Sequence, residues 1–211
     1  MEVLCKMTNV ETGGVRRGRL SARKLSMIGM LAAVSTVLAF IDFSLPFFPP
    51  FLKFDLSDLP VLLSAFMFGP VSGVFVTLVK NVIGLFSTST AGVGELSNFL
   101  ISAALSIGAG LVYRGNKTKR QALIGTAVGV LAMVVVSGFS NYFLVIPAYS
   151  KVMPIDAIVA MCHEINPSIN GILGYVILAA MPFTLLKGAV CGGITFLVYK
   201  KLHGAVQKFV R

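Results

Sequence analysis

The sequence predicts an all-α integral membrane protein with six transmembrane helices and both termini in the cytoplasm. Three observations carry this expectation. Mean hydropathy is +0.88 with only 12% of residues charged, the composition of a chain that faces lipid as well as its own interior. Apolar runs long enough to cross a hydrocarbon core of about 30 Å recur along the chain. Of 18 Lys and Arg, six precede residue 25, four lie within 114–120 and four lie from Lys200 onward, the clustering that cytoplasmic loops of membrane proteins carry. The net charge of +10 is therefore no sign of nucleic-acid binding, which needs a continuous basic face.

Residues 1–24 read as a disordered basic cytoplasmic tail, 25–201 as the membrane domain and 202–211 as a second basic tail. The basic stretch before residue 25 followed by apolar residues resembles a secretory signal. Its apolar part is longer than a signal core and more spans follow, which favours an uncleaved first span over 25–45. The small residues Gly29, Ala32, Ala33, Ser35, Thr36 and Ala39 allow another helix to approach closely, from inside the bundle or from a partner. The turn Pro46-Phe47-Phe48-Pro49-Pro50 then stops the helix, because proline removes donors and crowds the preceding turn.

After Lys53, Asp55 and Asp58, the apolar run 59–79 is interrupted by Gly69-Pro70. A single crossing over 59–86 would put the basic loop 114–120 opposite the basic N-terminus. Two crossings joined at Gly69-Pro70 put all three basic clusters on one side, which gives six spans. A short second span of this kind marks the binding region of a transporter. The third span, 71–86, carries Lys80-Asn81, and Lys80 either snorkels outward or pairs with an acid. An outer polar loop follows with Gly92, Val93, Gly94 and Glu95. Glu95 opens the fourth span, 96–113, where a carboxylate serves either the helix dipole or a ligand.

The fifth span, 121–146, ends in Ser140-Asn141-Tyr142-Phe143, and the Asn141 amide offers both a donor and an acceptor. Residues 147–170 are expected to form an outer loop with Asp156, His163 and Glu164. The run 172–199 would reach about 42 Å as a helix, more than one crossing needs. It is split at Pro182 into a short outer or re-entrant segment, 172–180, and a sixth span, 182–201. Lys187 is the only charge in that run. An ionised amine is costly in hydrocarbon, so it faces a polar cavity or the interior, unless it snorkels or pairs. Thr184, three residues earlier, shares its helix face. Lys187, Thr184 and Asn141 fall at matching depths in the outer half, with Asp55, Asp58 and Glu95 nearby.

Cys5, Cys162 and Cys191 are too scattered for a disulfide framework or a zinc site. No phosphate-binding lysine loop, nucleophile elbow or paired-histidine motif occurs, so neither an enzyme nor a metal site is expected. What remains is a pocket open to the outside with an amide, a hydroxyl and an amine. All seven arginines (16, 17, 19, 23, 114, 120 and 211) belong to the cytoplasmic clusters, which disfavours a phosphorylated ligand. A flat, neutral heterocycle contacted by Phe183, Tyr142 or Phe139 fits this chemistry. An ion-coupled carrier using Lys80, Lys187 and Glu95 is the alternative from the residues alone.

The ordered set Asp55-x-x-Asp58-x-Pro60, Phe68-Gly69-Pro70, Lys80-Asn81, Gly92-Val93-Gly94-Glu95 with Asn98-Phe99, Asn141-Tyr142-Phe143 and Pro182-Phe183-x-x-x-Lys187-Gly188 resembles the riboflavin-specific S components of energy-coupling factor (ECF) vitamin transporters. The resemblance covers residues 25–199. It implies a six-helix protein of the bacterial cell membrane that captures riboflavin from outside, as a transported ligand and not a cofactor. It also implies docking on one transmembrane coupling subunit and two cytoplasmic ATPases.

Carried over by residue, the resemblance implies that Asn141 and Lys187 hydrogen-bond the isoalloxazine ring. Thr184, Glu95, Tyr142, Phe183, Leu45, Gly92, Val93 and Gly94 would complete the pocket, and Pro46, Phe47, Phe48 and Pro49 would belong to a gating loop. The small-residue face of the first helix would serve partner docking. The family usually has asparagine where this chain has Thr184, and Gly29-x-x-x-Ala33 with Ser35-x-x-x-Ala39 replaces a strict Ala-x-x-x-Ala. A sibling reading keeps the fold and exchanges the vitamin for thiamin or pantothenate.

Overall fold

The computed structural model describes residues 22–49, 52–88, 92–115, 117–150, 155–165, 167, 169 and 171–210, with backbone alone for 155–159 and 200–210. The tail expected at 1–24 therefore lies almost wholly outside the described residues. Among the described residues, five stretches are long and apolar enough to cross a membrane: Ala22–Phe40, Pro70–Ser87, Val93–Gly115, Lys119–Tyr149 and Gly171–Tyr199.

The first helix, α1, spans Ala22–Phe40. A two-residue antiparallel hairpin follows, β1 Phe43–Ser44 against β2 Lys53–Phe54, in register Phe43↔Phe54 and Ser44↔Lys53. This is a small β addition to an otherwise helical chain. It forms where the prolines at 46 and 49 forbid helix and leave an extended backbone to pair with itself.

The expected second span is shorter than a crossing. Helix α2, Asp58–Phe68, has 11 residues, about 16 Å against a core of about 30 Å. It is buried on nearly every side, with Val61, Leu62 and Ser64 fully enclosed, as expected of a helix in the middle of a bundle. Gly69 ends it at φ 100°, a conformation that a side chain would strain, and Pro70 starts helix α3, Pro70–Gly84. The two helices run antiparallel, because Lys80 near the end of α3 touches Asp58 at the start of α2. The break at Gly69-Pro70 is thus where the sequence placed it. The backbone at 55–57, between β2 and α2, is irregular, and Asp55 and Ser57 within it are buried.

Helices α4, Val93–Gly115, and α5, Lys119–Ser140, pack face to face through glycine. A methyl group on Gly129 would come 2.7 Å from the Leu105 carbonyl oxygen, and one on Gly125 would come 2.8 Å from that of Ala109. Small residues are what bring membrane helices together, since lipid tails compete equally for larger apolar ones.

The split expected at Pro182 does not occur. Helix α8, Gly171–Tyr175, runs through a widened turn at Val176–Ala180 directly into α9, Met181–Val210. Pro182 lacks an N–H and its ring crowds the carbonyl of residue 178. That residue lies inside the widened turn, where the Met181 N–H reaches back five residues to the Val176 carbonyl, and the extra room accommodates the ring.

The fifth span repeats the device. A widened turn at Asn141–Val145 precedes α6, Ile146–Tyr149, and contains residue 143, four before Pro147. The stretch 147–170, expected as loop, contributes α6 and a further helix, α7, Ile155–Ile165. The basic tail expected from 202 continues α9 as helix to Val210.

Candidate ligand-binding site

A cavity of about 440 Å³ lies between α1, the hairpin, α3, α4, the end of α5 and α9. Each wall supplies polar atoms for a local reason. Asn141 sits where α5 widens. Its Nδ2 donates to the Ser137 carbonyl at 2.9 Å and lies 3.3 Å from Ser137 Oγ, while its Oδ1 accepts from the Tyr175 hydroxyl at 3.0 Å. Ser137 Oγ is also 2.7 Å from Thr184 Oγ1, which donates to Ala180 O at 2.9 Å or shares its proton with Ser137. Two positions one turn apart on α5, 137 and 141, thus meet one position on α9.

Lys187, one turn further along α9, points to the floor. Its Nζ donates to Asp55 Oδ2 at 2.8 Å and lies 3.8 Å from Asp58 Oδ2. Lys80 closes the other side of this cluster, with Nζ donating to Asp58 Oδ1 at 2.8 Å and to Ser57 Oγ at 2.7 Å. Ser102 Oγ donates to the same Asp58 oxygen at 2.5 Å, and the Ser57 N–H donates to Asp55 Oδ1 at 2.8 Å. The cluster holds two ammonium groups and two carboxylates, so it is neutral as a whole. All four side chains are at least nine-tenths buried.

Removing a single member from such a cluster leaves an uncompensated charge, at a cost of about 3–5 kcal/mol.

Phe183 forms the aromatic wall, held by perpendicular contacts with Phe48 at 5.3 Å and Phe54 at 6.4 Å between ring centroids. Because Phe48 and Phe54 belong to the hairpin region, the loop expected to act as a gate touches a cavity wall through Phe48. Pro49 is buried, whereas Pro46 and Phe47 are exposed. Glu95 lines the cavity from the first turn of α4 and accepts from Thr88 Oγ1 at 2.8 Å.

Of the residues expected in the pocket, Asn141, Thr184, Lys187, Phe183, Glu95 and Gly94 line the cavity, and Gly92, Val93, Leu45 and Tyr142 do not. Gly92 instead turns the chain into α4 at φ +85°. Tyr142 follows Asn141 by one residue, which on a helix directs it to a different face. It is half-exposed beside Phe143 at 5.0 Å, and Phe139 stacks on Phe143 at 6.3 Å on the same outer surface.

The small residues of α1 divide between the bundle and its surface. Ala32, Ser35 and Thr36 are buried in the bundle, with Ser35 Oγ donating to the Ser57 carbonyl at 2.7 Å, and Thr36 and Ala39 line the cavity. They are therefore occupied within this chain. Gly29 and Ala33 alone of the set lie on the exposed face.

Tyr175 and Ser137 also line the cavity, beyond the residues expected there. The spacing of four from Asn141 is a signal for Ser137, whereas Tyr175 carries none when 172–180 is an outer segment.

The chain as a whole has the architecture of a membrane-embedded binding protein: a half-length buried helix, two proline-widened helices and a polar chamber between them. Residues 23–199 match the family "ECF transporter, substrate-specific component", and the chain belongs to it, as a multi-pass membrane transport component and not an enzyme.

Among its relatives is the riboflavin transporter RibU of Staphylococcus aureus (strain TCH60), 32% identical over 186 residues, covering 88% of this chain and 93% of that protein. Another is the riboflavin transporter FmnP of Bacillus subtilis (strain 168), 26% identical over 192 residues, covering 90% of this chain and 96% of that protein. A solved structure of the S component of a bacterial ECF transporter superposes with a TM-score of 0.69 at 32% identity, covering 87% of this chain and 97% of that one.

Proposed function

We propose that this protein captures riboflavin and hands it to an ECF module of one transmembrane coupling subunit and two cytoplasmic ATPases. The observation that carries the reading is the convergence of Asn141, Thr184, Lys187 and Phe183 on one cavity of about 440 Å³, a size within the range of small-molecule sites. The relatives named as riboflavin transporters favour this vitamin over thiamin or pantothenate.

In this reading the isoalloxazine ring lies against Phe183, and its carbonyl and imide edge meets Asn141 and Lys187. Lys187 has three N–H bonds, of which Asp55 takes one, so the ammonium donates to the ligand without abandoning its ion pair. The Asn141 N–H aimed at Ser137 Oγ is the long member of its set at 3.3 Å and turns to the ligand at small cost. The polar wall of Asn81, Glu95, Ser97 and Asn98 suits the hydroxyls of the ribityl chain.

Sidedness follows from charge. Arg23, Lys24, Arg114 and Lys117 gather at one end of the bundle. Glu95 and the cavity lie at the other end of α4, whose 23 residues reach about 34 Å. Positive residues stay inside, so the cavity opens outward, α2 with its preceding loop counts as one of six crossings, and both termini are cytoplasmic.

The test is to purify the full chain, strip it of ligand and measure thermal shifts against a vitamin panel. Riboflavin raises the melting temperature and the other vitamins do not. A shift with thiamin or pantothenate alone, or with none, overturns the assignment.

A further inference from the structure

The basic end of the molecule holds a second recess, of about 650 Å³, that the capture reading does not use. It lies between the start of α1, the α2–α3 turn and the end of α4. Its cations come from separate stretches of the chain: Arg23 and Lys24 from α1, Arg114 from the last turn of α4, and Lys117 from the link to α5. Among the described residues no acidic residue lines it, and none of the four makes an ion pair. Lys24 is held over the Phe68 ring at 5.8 Å from its centroid, so it is drawn to the recess wall and not to a carboxylate.

Arg23, Arg114 and Lys117 are exposed and Lys24 is half-buried, and four like charges lining one recess favour an anion among them. The other wall is apolar, with Met27, Met67 and Val71, and Val71 is 80% exposed on the outer face. A polyanion in water has no use for such a wall, but a phospholipid has an anionic head and acyl chains that lie along apolar helix surface. Basic pockets between transmembrane helices at the cytoplasmic surface hold phospholipid heads in this way, and arginine's fork suits a phosphate.

We propose that the recess binds the phosphate of an anionic phospholipid, with Arg23, Lys24, Arg114 and Lys117 around the head and the acyl chains running past Val71. The recess lies at the opposite end of the bundle from the cavity, so this proposal stands or falls apart from the vitamin reading.

The test uses the full chain in nonionic detergent and native mass spectrometry with phosphatidylglycerol or phosphatidylcholine of the same acyl chains. Phosphatidylglycerol adducts are expected at least tenfold more readily than phosphatidylcholine adducts. The exposed pair R114Q/K117Q is expected to lose that preference by about tenfold or more, and R23Q/K24Q to do the same should the first pair misfold. The pair K119Q/R120Q removes equal charge from neighbouring residues outside the recess and is expected to stay within twofold of the unmodified chain. Equal retention of the two lipids, or an equal loss in the K119Q/R120Q control, overturns the proposal. So does stabilisation by inorganic phosphate alone to the same degree as by phosphatidylglycerol.

Discussion

The two ends of the bundle are built by opposite means. At the end nearer Tyr113, α4 and α5 meet at glycine-to-backbone distance, and Phe66, Tyr113 and Tyr199 pack edge-on with centroids 5.0–5.9 Å apart, the two tyrosine hydroxyls bonded to each other. The chain turns there at Gly69-Pro70, and the helices on either side of the turn run regular. At the cavity end, α5 and α9 both widen ahead of a proline, α2 has only 11 residues, and the hairpin region contributes Leu52 and Lys53 to the cavity lining. Regular helices joined through small residues make a stiff frame, whereas departures from helical regularity free backbone and side-chain groups to meet a ligand. The polar lining of the cavity thus goes with interrupted helices and one ionic cluster, and the opposite end with close-packed glycine and aromatic rings.

The largest expected effect comes from breaking that cluster. Lys187→Ala leaves Asp55 and Asp58 short of a cation and is expected to destabilise the protein by about 3–5 kcal/mol, read as a lowered melting temperature in detergent without ligand. Pairing it with Asp55→Asn removes the orphaned charge and is expected to restore most of the loss. If Lys187→Ala melted with the unmodified chain, the cluster would have no structural role and the cavity end would be as self-sufficient as the other.

The frame is attacked by Gly129→Val, which drives a branched side chain into the Leu105 carbonyl at a cost of about 1–3 kcal/mol. Gly29→Ala is its control. Nothing lies within 4 Å of a methyl there, so its melting temperature is expected to move by no more than about 0.5 kcal/mol equivalent. Equal effects at the two glycines would remove the distinction between seam and surface.

Much of this was legible in the chain. Gly69-Pro70 marked the α2–α3 break because neither residue tolerates a continuous helix there. Lys187 was recognisable because an ammonium alone in an apolar run needs a destination. Its partner was not recognisable: Asp55 stands 132 positions away, and only the fold joins them. Pro182 misled because a proline reads as a helix start unless a widened turn absorbs it, which depends on packing and leaves no local mark. The same error hid Tyr175, and a one-residue step on the helix separates Asn141, which faces the cavity, from Tyr142, which does not.

The most direct test of the central claim is a fluorescence titration of riboflavin with the ligand-free chain and two variants of adjacent residues, Asn141→Ala and Tyr142→Ala. Saturable quenching is expected for the unmodified chain, with affinity lowered about tenfold or more in Asn141→Ala, a loss of about 1.4 kcal/mol, and kept within twofold in Tyr142→Ala. Flavin fluorescence that does not change with added protein, or equal affinities for the unmodified chain and Asn141→Ala, would contradict the account.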